Sequence, residues 1–186
     1  WEFLTKPLQM RDIEQCLRQI LQFRQNRTPV SEALVVDSGH VLGSGPGMSR
    51  ALKLLAQAAK SEVNVLLLGE TGVGKELFAR ALFRNSARAA RPFITVDCAS
   101  LPETLVESHL FGHSRGAFTG ADRAREGLLL AADKGTLFLD EVGDLPQPMQ
   151  GVFLRALEQR RFRPVGEVRE VSSDFRLVAA TNKNLE

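Results

Sequence analysis

Apolar and polar positions follow two rhythms along this chain. Over residues 8–26, Ile13, Leu17, Ile20 and Leu21 recur at helical spacing with charges and glutamines between them, which predicts an amphipathic helix. The pattern then dissolves into turn formers, Pro29, Gly39, Gly43 and Gly45-Pro46-Gly47, and reads as a linker entering a new domain. Helical spacing returns over 49–60 through Ala51, Leu54, Leu55 and Ala58. Beyond that point short apolar runs alternate with amphipathic stretches. Strands are predicted at 63–68, 93–96, 137–139 and 176–180, and helices at 75–86, 102–110, 126–133 and 147–160, with a glycine-rich loop at 112–120. Strands apolar on both faces belong in a parallel sheet covered on both sides, so the expected fold is an α/β three-layer sandwich.

Composition narrows this picture only a little. With 186 residues the chain has enough length for one sizeable core and a second small piece. A net charge of +2 gives no reason to expect a nucleic-acid surface. Cys16 and Cys98 lie far apart without metal-ligand spacing, so reduced thiols and a cytoplasmic setting are expected. No apolar run approaches the roughly 20 residues that span a bilayer, so no membrane partner is expected. Trp1 stands first, without an initiator Met or a signal-peptide pattern, and the expectation is a cut start.

Three segments carry chemistry. Gly69-Glu70-Thr71-Gly72-Val73-Gly74-Lys75-Glu76 follows a predicted strand and opens a predicted helix. In that context the glycines let backbone N–H groups turn toward phosphate oxygens, the helix N-terminus adds its dipole, and Lys75 supplies a mobile charge for the β- and γ-phosphates. ATP is the expected ligand. Glu76 stands where a Ser or Thr hydroxyl normally reaches Mg²⁺, so it is expected to point away, and Mg²⁺ to lean on Asp140 through water. Asp140 and Glu141 end an apolar strand at the sheet edge where ligands bind. The first acid suits indirect Mg²⁺ coordination, and the second is placed to polarise a water for in-line attack. Asn182, ending the next strand, is placed to hydrogen-bond the γ-phosphate or that water.

Together with Gly116-Ala117-Phe118-Thr119-Gly120-Ala121, these motifs resemble the AAA+ ATPase domain of NtrC-like bacterial enhancer-binding proteins, the activators of sigma-54 RNA polymerase. The resemblance covers residues 41–186. It implies that the hexapeptide is a mobile loop that touches sigma-54, with Phe118 and Thr119 at its tip, and that the Lys-Glu ending of the phosphate loop is normal. It also implies a switch at the end of the second strand, where family members carry Asn to hold the catalytic glutamate. Here Asp97 takes that place, and two close carboxylates repel unless they share a proton or a water. Pro164 stands where an Arg is common, with Arg163 beside it. Residues 1–26, with Lys6-Pro7 ahead of the first helix, resemble the C-terminal end of a response-regulator receiver domain, and 27–40 then form the linker.

The resemblance further implies a two-component transcription activator that assembles as a hexameric or heptameric ring, contacts sigma-54 RNA polymerase and remodels the closed promoter complex. On this view the sheet, of order 5-1-4-3-2, is truncated before its fifth strand. Also expected beyond the chain are the trans-acting arginine fingers, the helical lid and a DNA-binding C-terminal domain, and upstream the rest of the receiver that meets a sensor kinase. Two consequences are expected. The strand at 63–68 becomes an exposed apolar edge that limits solubility or stability. As a fragment, the polypeptide is alternatively a nucleotide-binding module without hydrolysis. His109 and His113, four apart on a supposed helix, lack a third ligand for a metal.

Overall fold

The computed structural model describes residues 45–183, so the receiver-like segment at 1–26 and the linker at 27–40 lie outside the described residues. Four parallel strands form the main sheet: β1 (Val65–Leu68), β2 (Phe93–Asp97), β5 (Thr136–Asp140) and β8 (Arg176–Thr181), in the order β1-β8-β5-β2. Short elements complete the strand numbering. β3 (Gly112–His113) pairs antiparallel with β4 (Arg125–Glu126), and β6 (Arg161–Phe162) pairs antiparallel with β7 (Val171–Ser172).

Side-chain alternation sorts the two faces of the sheet. Phe138, Val178 and Ala180 point into one core with Leu55 of α1 (Pro46–Ala59) and Ala79, Ala81 and Leu82 of α2 (Lys75–Arg84). Leu137, Leu139, Leu177 and Ala179 point the other way. Their core includes Val106, Leu110 and Phe111 of α3 (Glu103–Phe111), Leu129 of α4 (Leu128–Ala131), and Phe153 and Ala156 of α5 (Gln147–Gln159). The central strands β5 and β8 are therefore buried on both faces, which is why their sequences are apolar without interruption. This is the expected three-layer α/β sandwich.

The differences from the periodicity reading are local. α1 begins at Pro46 inside the supposed turn, because proline is tolerated at the first helical position, where its missing N–H costs nothing. The helix predicted at 126–133 shrinks to α4, and Arg125–Glu126 instead close a hairpin on Gly112–His113. The supposed loop at 112–120 is thus one arm of a hairpin. At its root the backbones nearly touch: a Cβ on Gly127 would sit 2.3 Å from Phe111 C, and one on Gly112 2.6 Å from Gly127 N. Both positions need glycine, and Gly112 also has φ +80°.

At the end of the sheet away from the motifs, two arginines tie the layers together. Arg176 is fully buried, donating from Nε to Val63 O (3.1 Å) and from Nη2 to Ala58 O (2.7 Å). It thereby joins the last turn of α1 and the entry to β1 to the base of β8. Burial lowers its pKa, with Glu62 opposing and Arg88 reinforcing the effect. Arg88 spreads over Glu62, the carbonyl of Gly135 and both the carbonyl and carboxylate of Asp174. Replacing Arg176 by Met removes the donor to Val63 O and leaves Ala58 O to its Ser61 donors, and we expect a loss of about 1–3 kcal/mol in urea unfolding with an unchanged slope.

Among the described residues β1 forms one edge of the sheet, with Val63, Leu66 and Leu68 exposed and an apolar groove of about 420 Å³ running between it, α1 and α2. An open apolar edge of this kind templates pairing with another chain. We expect Leu66→Lys to reduce self-association of this polypeptide in light scattering while leaving its melting temperature nearly unchanged.

Candidate functional site

Parallel strands in register finish at one edge, and this edge gathers the three chemical segments. Leu68 pairs with Thr181 and Asp97 with Asp140, so the ends of all four strands meet there. β1 runs into the loop at 69–74, where Gly72 (φ +81°) and Gly74 (φ +91°) take the left-handed backbone that lets the chain curl before α2 begins. Lys75, the first residue of α2, turns back into this curl.

The Lys75 side chain is only 8% exposed and donates to three acceptors: Gly69 O (3.1 Å), Glu70 O (3.2 Å) and Glu141 Oε1 (3.2 Å). Glu141 is held on its other side as well, because Oε2 accepts from the Asn182 backbone N–H at 3.0 Å. Asn182 in turn donates from Nδ2 to Thr71 Oγ1 (3.0 Å), which carries a hydrogen-bonded chain from Lys75 through Glu141 and Asn182 back to the loop at Thr71. The phosphate-loop lysine, the second acid of the pair and the Asn beyond β8 are therefore one connected unit. Glu141 also has φ +47°, a left-handed backbone that a non-glycine residue adopts at a cost of about 1–3 kcal/mol.

The remaining site residues sort themselves around this unit. Glu76 points away and accepts from Arg80 Nε and Nη2 at 2.9 and 2.7 Å, an exposed i,i+4 pair that keeps its charge off the loop. Asp140, half-buried, accepts the Glu141 N–H on Oδ1 at 3.0 Å. With Glu141 taken up by Lys75 and no hydroxyl at position 76, Asp140 as the remaining carboxylate of the pair fits a hard cation held largely through water. Asp97 caps the short helical turn Cys98–Ser100 by accepting from Ala99 N (3.0 Å), whereas the hydrogen bonds of Glu141 go to Lys75 and Asn182. His113 lies in β3 and not on a helix with His109, and among the described residues no three His, Cys, Asp or Glu side chains gather as a metal site.

Two features escaped the sequence reading. Lys183, immediately after Asn182, donates to Gly143 O (3.0 Å) and Asp144 Oδ1 (2.5 Å), bracing the turn that follows Glu141. Its only sequence signal is its place one residue past Asn182. Cys98 is buried beneath the site, and its thiol is pushed up to about 12 by burial and then by Asp97, Asp144 and Asp140.

The sigma-54 interaction domain model matches residues 41–186. The chain belongs to this family. It is 43% identical over 184 residues to the transcriptional regulatory protein ZraR of Escherichia coli K12, covering 99% of this chain and 42% of that protein. To the Nif-specific regulatory protein of Bradyrhizobium diazoefficiens it is 48% identical over 158 residues, 85% of this chain and 27% of the relative. Among solved structures, NtrX of Brucella abortus superposes with a TM-score of 0.72 at 29% identity, covering 100% of this chain and 40% of that one. NtrX in complex with ATP gives 0.71 at 31% identity, over 100% of this chain and 41% of that chain. The chain thus spans less than half the length of these relatives. The fold is that of an AAA+ sigma-54 activator domain, an ATPase-type module of transcription regulators. No helix among the described residues is long and apolar enough to cross a membrane.

Within that domain the thiol of Cys98 serves as a probe of the site floor. With its titration at about 12 the reactive thiolate is scarce at neutral pH and rises only as pH approaches that value. In a Cys16→Ser background we expect Cys98 to resist iodoacetamide at pH 8 in the native protein and to react readily once unfolded, as read by mass spectrometry.

Proposed function

We propose that this domain binds and hydrolyses ATP and uses the cycle to move the Gly116–Ala121 segment against sigma-54, remodelling the closed RNA polymerase complex. The observation that carries this reading is the hydrogen-bonded chain from Lys75 through Glu141 and Asn182 to Thr71. It supports the reading because Lys75, Glu141 and Asn182, drawn from three distant segments, are joined by consecutive hydrogen bonds. Backbone N–H groups of residues 69–74 cradle the phosphates, and Lys75 turns from Glu141 to their oxygens. Glu141, released from its ion pair, accepts a proton from the attacking water, while Asn182 trades Thr71 for the γ-phosphate or that water. When bound, Mg²⁺ would neutralise phosphate charge, with Asp140 holding it through water.

On this reading Lys75 and the Asn182 N–H, not Asp97, restrain Glu141 before nucleotide arrives. The support is that Asp97 already accepts from Ala99 N. The wider setting follows the family: a hexameric or heptameric ring in the cytoplasm, arginine fingers supplied by the neighbouring subunit, DNA bound by a C-terminal domain, and a receiver, of which residues 1–26 are the C-terminal end, answering to a sensor kinase. This polypeptide alone would then hold nucleotide without turning it over.

ATP turnover by the full-length protein tests the assignment. We expect Lys75→Ala to lose nucleotide binding, and Glu141→Gln to keep it while turnover falls by about 10²–10⁴-fold. Asp97→Ala should change turnover by less than about threefold, since its bond is a local cap. Wild-type turnover in Glu141→Gln would remove that residue as the base. Turnover by the 186-residue chain alone would refute the binding-only reading of it.

A further inference from the structure

The segment carrying Gly116 to Ala121 is folded onto its own base. Gly116 N donates to Ala121 O at 2.8 Å and Ala121 N to Phe118 O at 3.0 Å, so the turn is closed. Phe118 bends back from it, and its ring meets His113 at a centroid distance of 5.0 Å and an interplanar angle of 62°. The His113 backbone is fixed from two sides, by register with Arg125 in β4 and by a bridge to Val165. Its Nδ1 is buried with no hydrogen-bond partner among the described residues, so Nδ1 gives the ring no polar anchor. The ring pair thus links the fixed base of the hairpin to the loop tip. Phe118 remains 39% exposed, half sheltered by the histidine.

We propose that His113 is a positioning residue that latches Phe118 to the hairpin base, and that Phe118 becomes available to sigma-54 only when this ring pair parts. The proposal rests on the loop reading given above and adds what holds the loop down. An edge-to-face pair shifts an equilibrium by about 2- to 12-fold, weak enough for a nucleotide-driven movement to break and strong enough to keep the loop folded at rest.

The test uses the full-length protein with a fluorinated phenylalanine at position 118. We expect a ring-shifted fluorine resonance that moves in His113→Ala, stays in place in His113→Phe, and moves in the wild type when a non-hydrolysable ATP analogue is added. Sigma-54 capture without nucleotide should rise about 2- to 12-fold in His113→Ala, with ATP turnover and melting temperature unchanged. If His113→Ala proves unstable, His113→Leu fills the same space without a ring and should behave as the alanine variant was expected to. A resonance and a capture level insensitive to both variants would overturn the latch. Phe118→Ala separates the two layers of the argument: lost capture sustains the loop reading whatever the fluorine data say. Undiminished capture would overturn that reading and the latch's purpose with it.

Discussion

A nearly buried ammonium organises the working edge of this domain. Lys75 is too enclosed for water to solvate its charge fully, so protein oxygens must surround it. Two of them, Gly69 O and Glu70 O, come from the loop that precedes its helix. This pair requires the chain to curl through Gly72 and Gly74 with positive φ. The third, Glu141 Oε1, comes from 66 residues away, and meeting it requires β1 and β5 to end at the same edge of the sheet. Parallel register delivers that, with β8 between them and its last residue opposite the last residue of β1. The central apolar strands and the helices on both faces therefore serve to bring a cation and an acid from distant segments within 3.2 Å of each other.

The same contact makes the site responsive. A carboxylate held by a lysine and a backbone N–H is oriented but occupied, and an anionic ligand at the loop would compete for the lysine. In the proposed function, nucleotide binding and release of Glu141 as the base are linked by one exchange of partners. The strained backbone at Glu141 and the brace from Lys183 to Gly143 and Asp144 keep the acid aimed while its partner changes. Glu76 shows the complementary rule: a second carboxylate on the loop is tolerable because Arg80, one turn along α2, takes it.

What could be read from the sequence follows the range of the underlying forces. Hydrophobic periodicity is local and strong, so the main strands and most helices were legible, including the burial of β5 and β8 on both faces. The curl of residues 69–74 into α2 was legible because glycine, lysine and a following helix form one contiguous motif. The hairpins were not: two-residue strands such as Gly112–His113 and Arg125–Glu126 carry no periodicity, and they depend on a backbone approach at Gly112 and Gly127 visible only in three dimensions. Lys183, Arg176 and the tie between Thr71 and Asn182 were hidden for a related reason. Each acts through a partner at least 39 residues distant, at a spacing no motif encodes.

The hairpin is also where the two halves of the proposed activity join. Its root is locked by glycine against α3, and β3 is bridged to the turn that follows β6, so the base belongs to the packed core side of the molecule. Its tip is a closed turn with glycine at both ends, Gly116 and Gly120, each at positive φ and each with open space around it. A rigid base and an adaptable tip are what a lever needs, and a weak ring contact between them lets small changes in the core decide the position of the tip. Strong polar bonds at that point would hold the loop against any movement of the residues around Lys75 and Glu141. No tie at all would leave Phe118, a large apolar side chain, in water regardless of nucleotide. The His113–Phe118 pair sits between these limits.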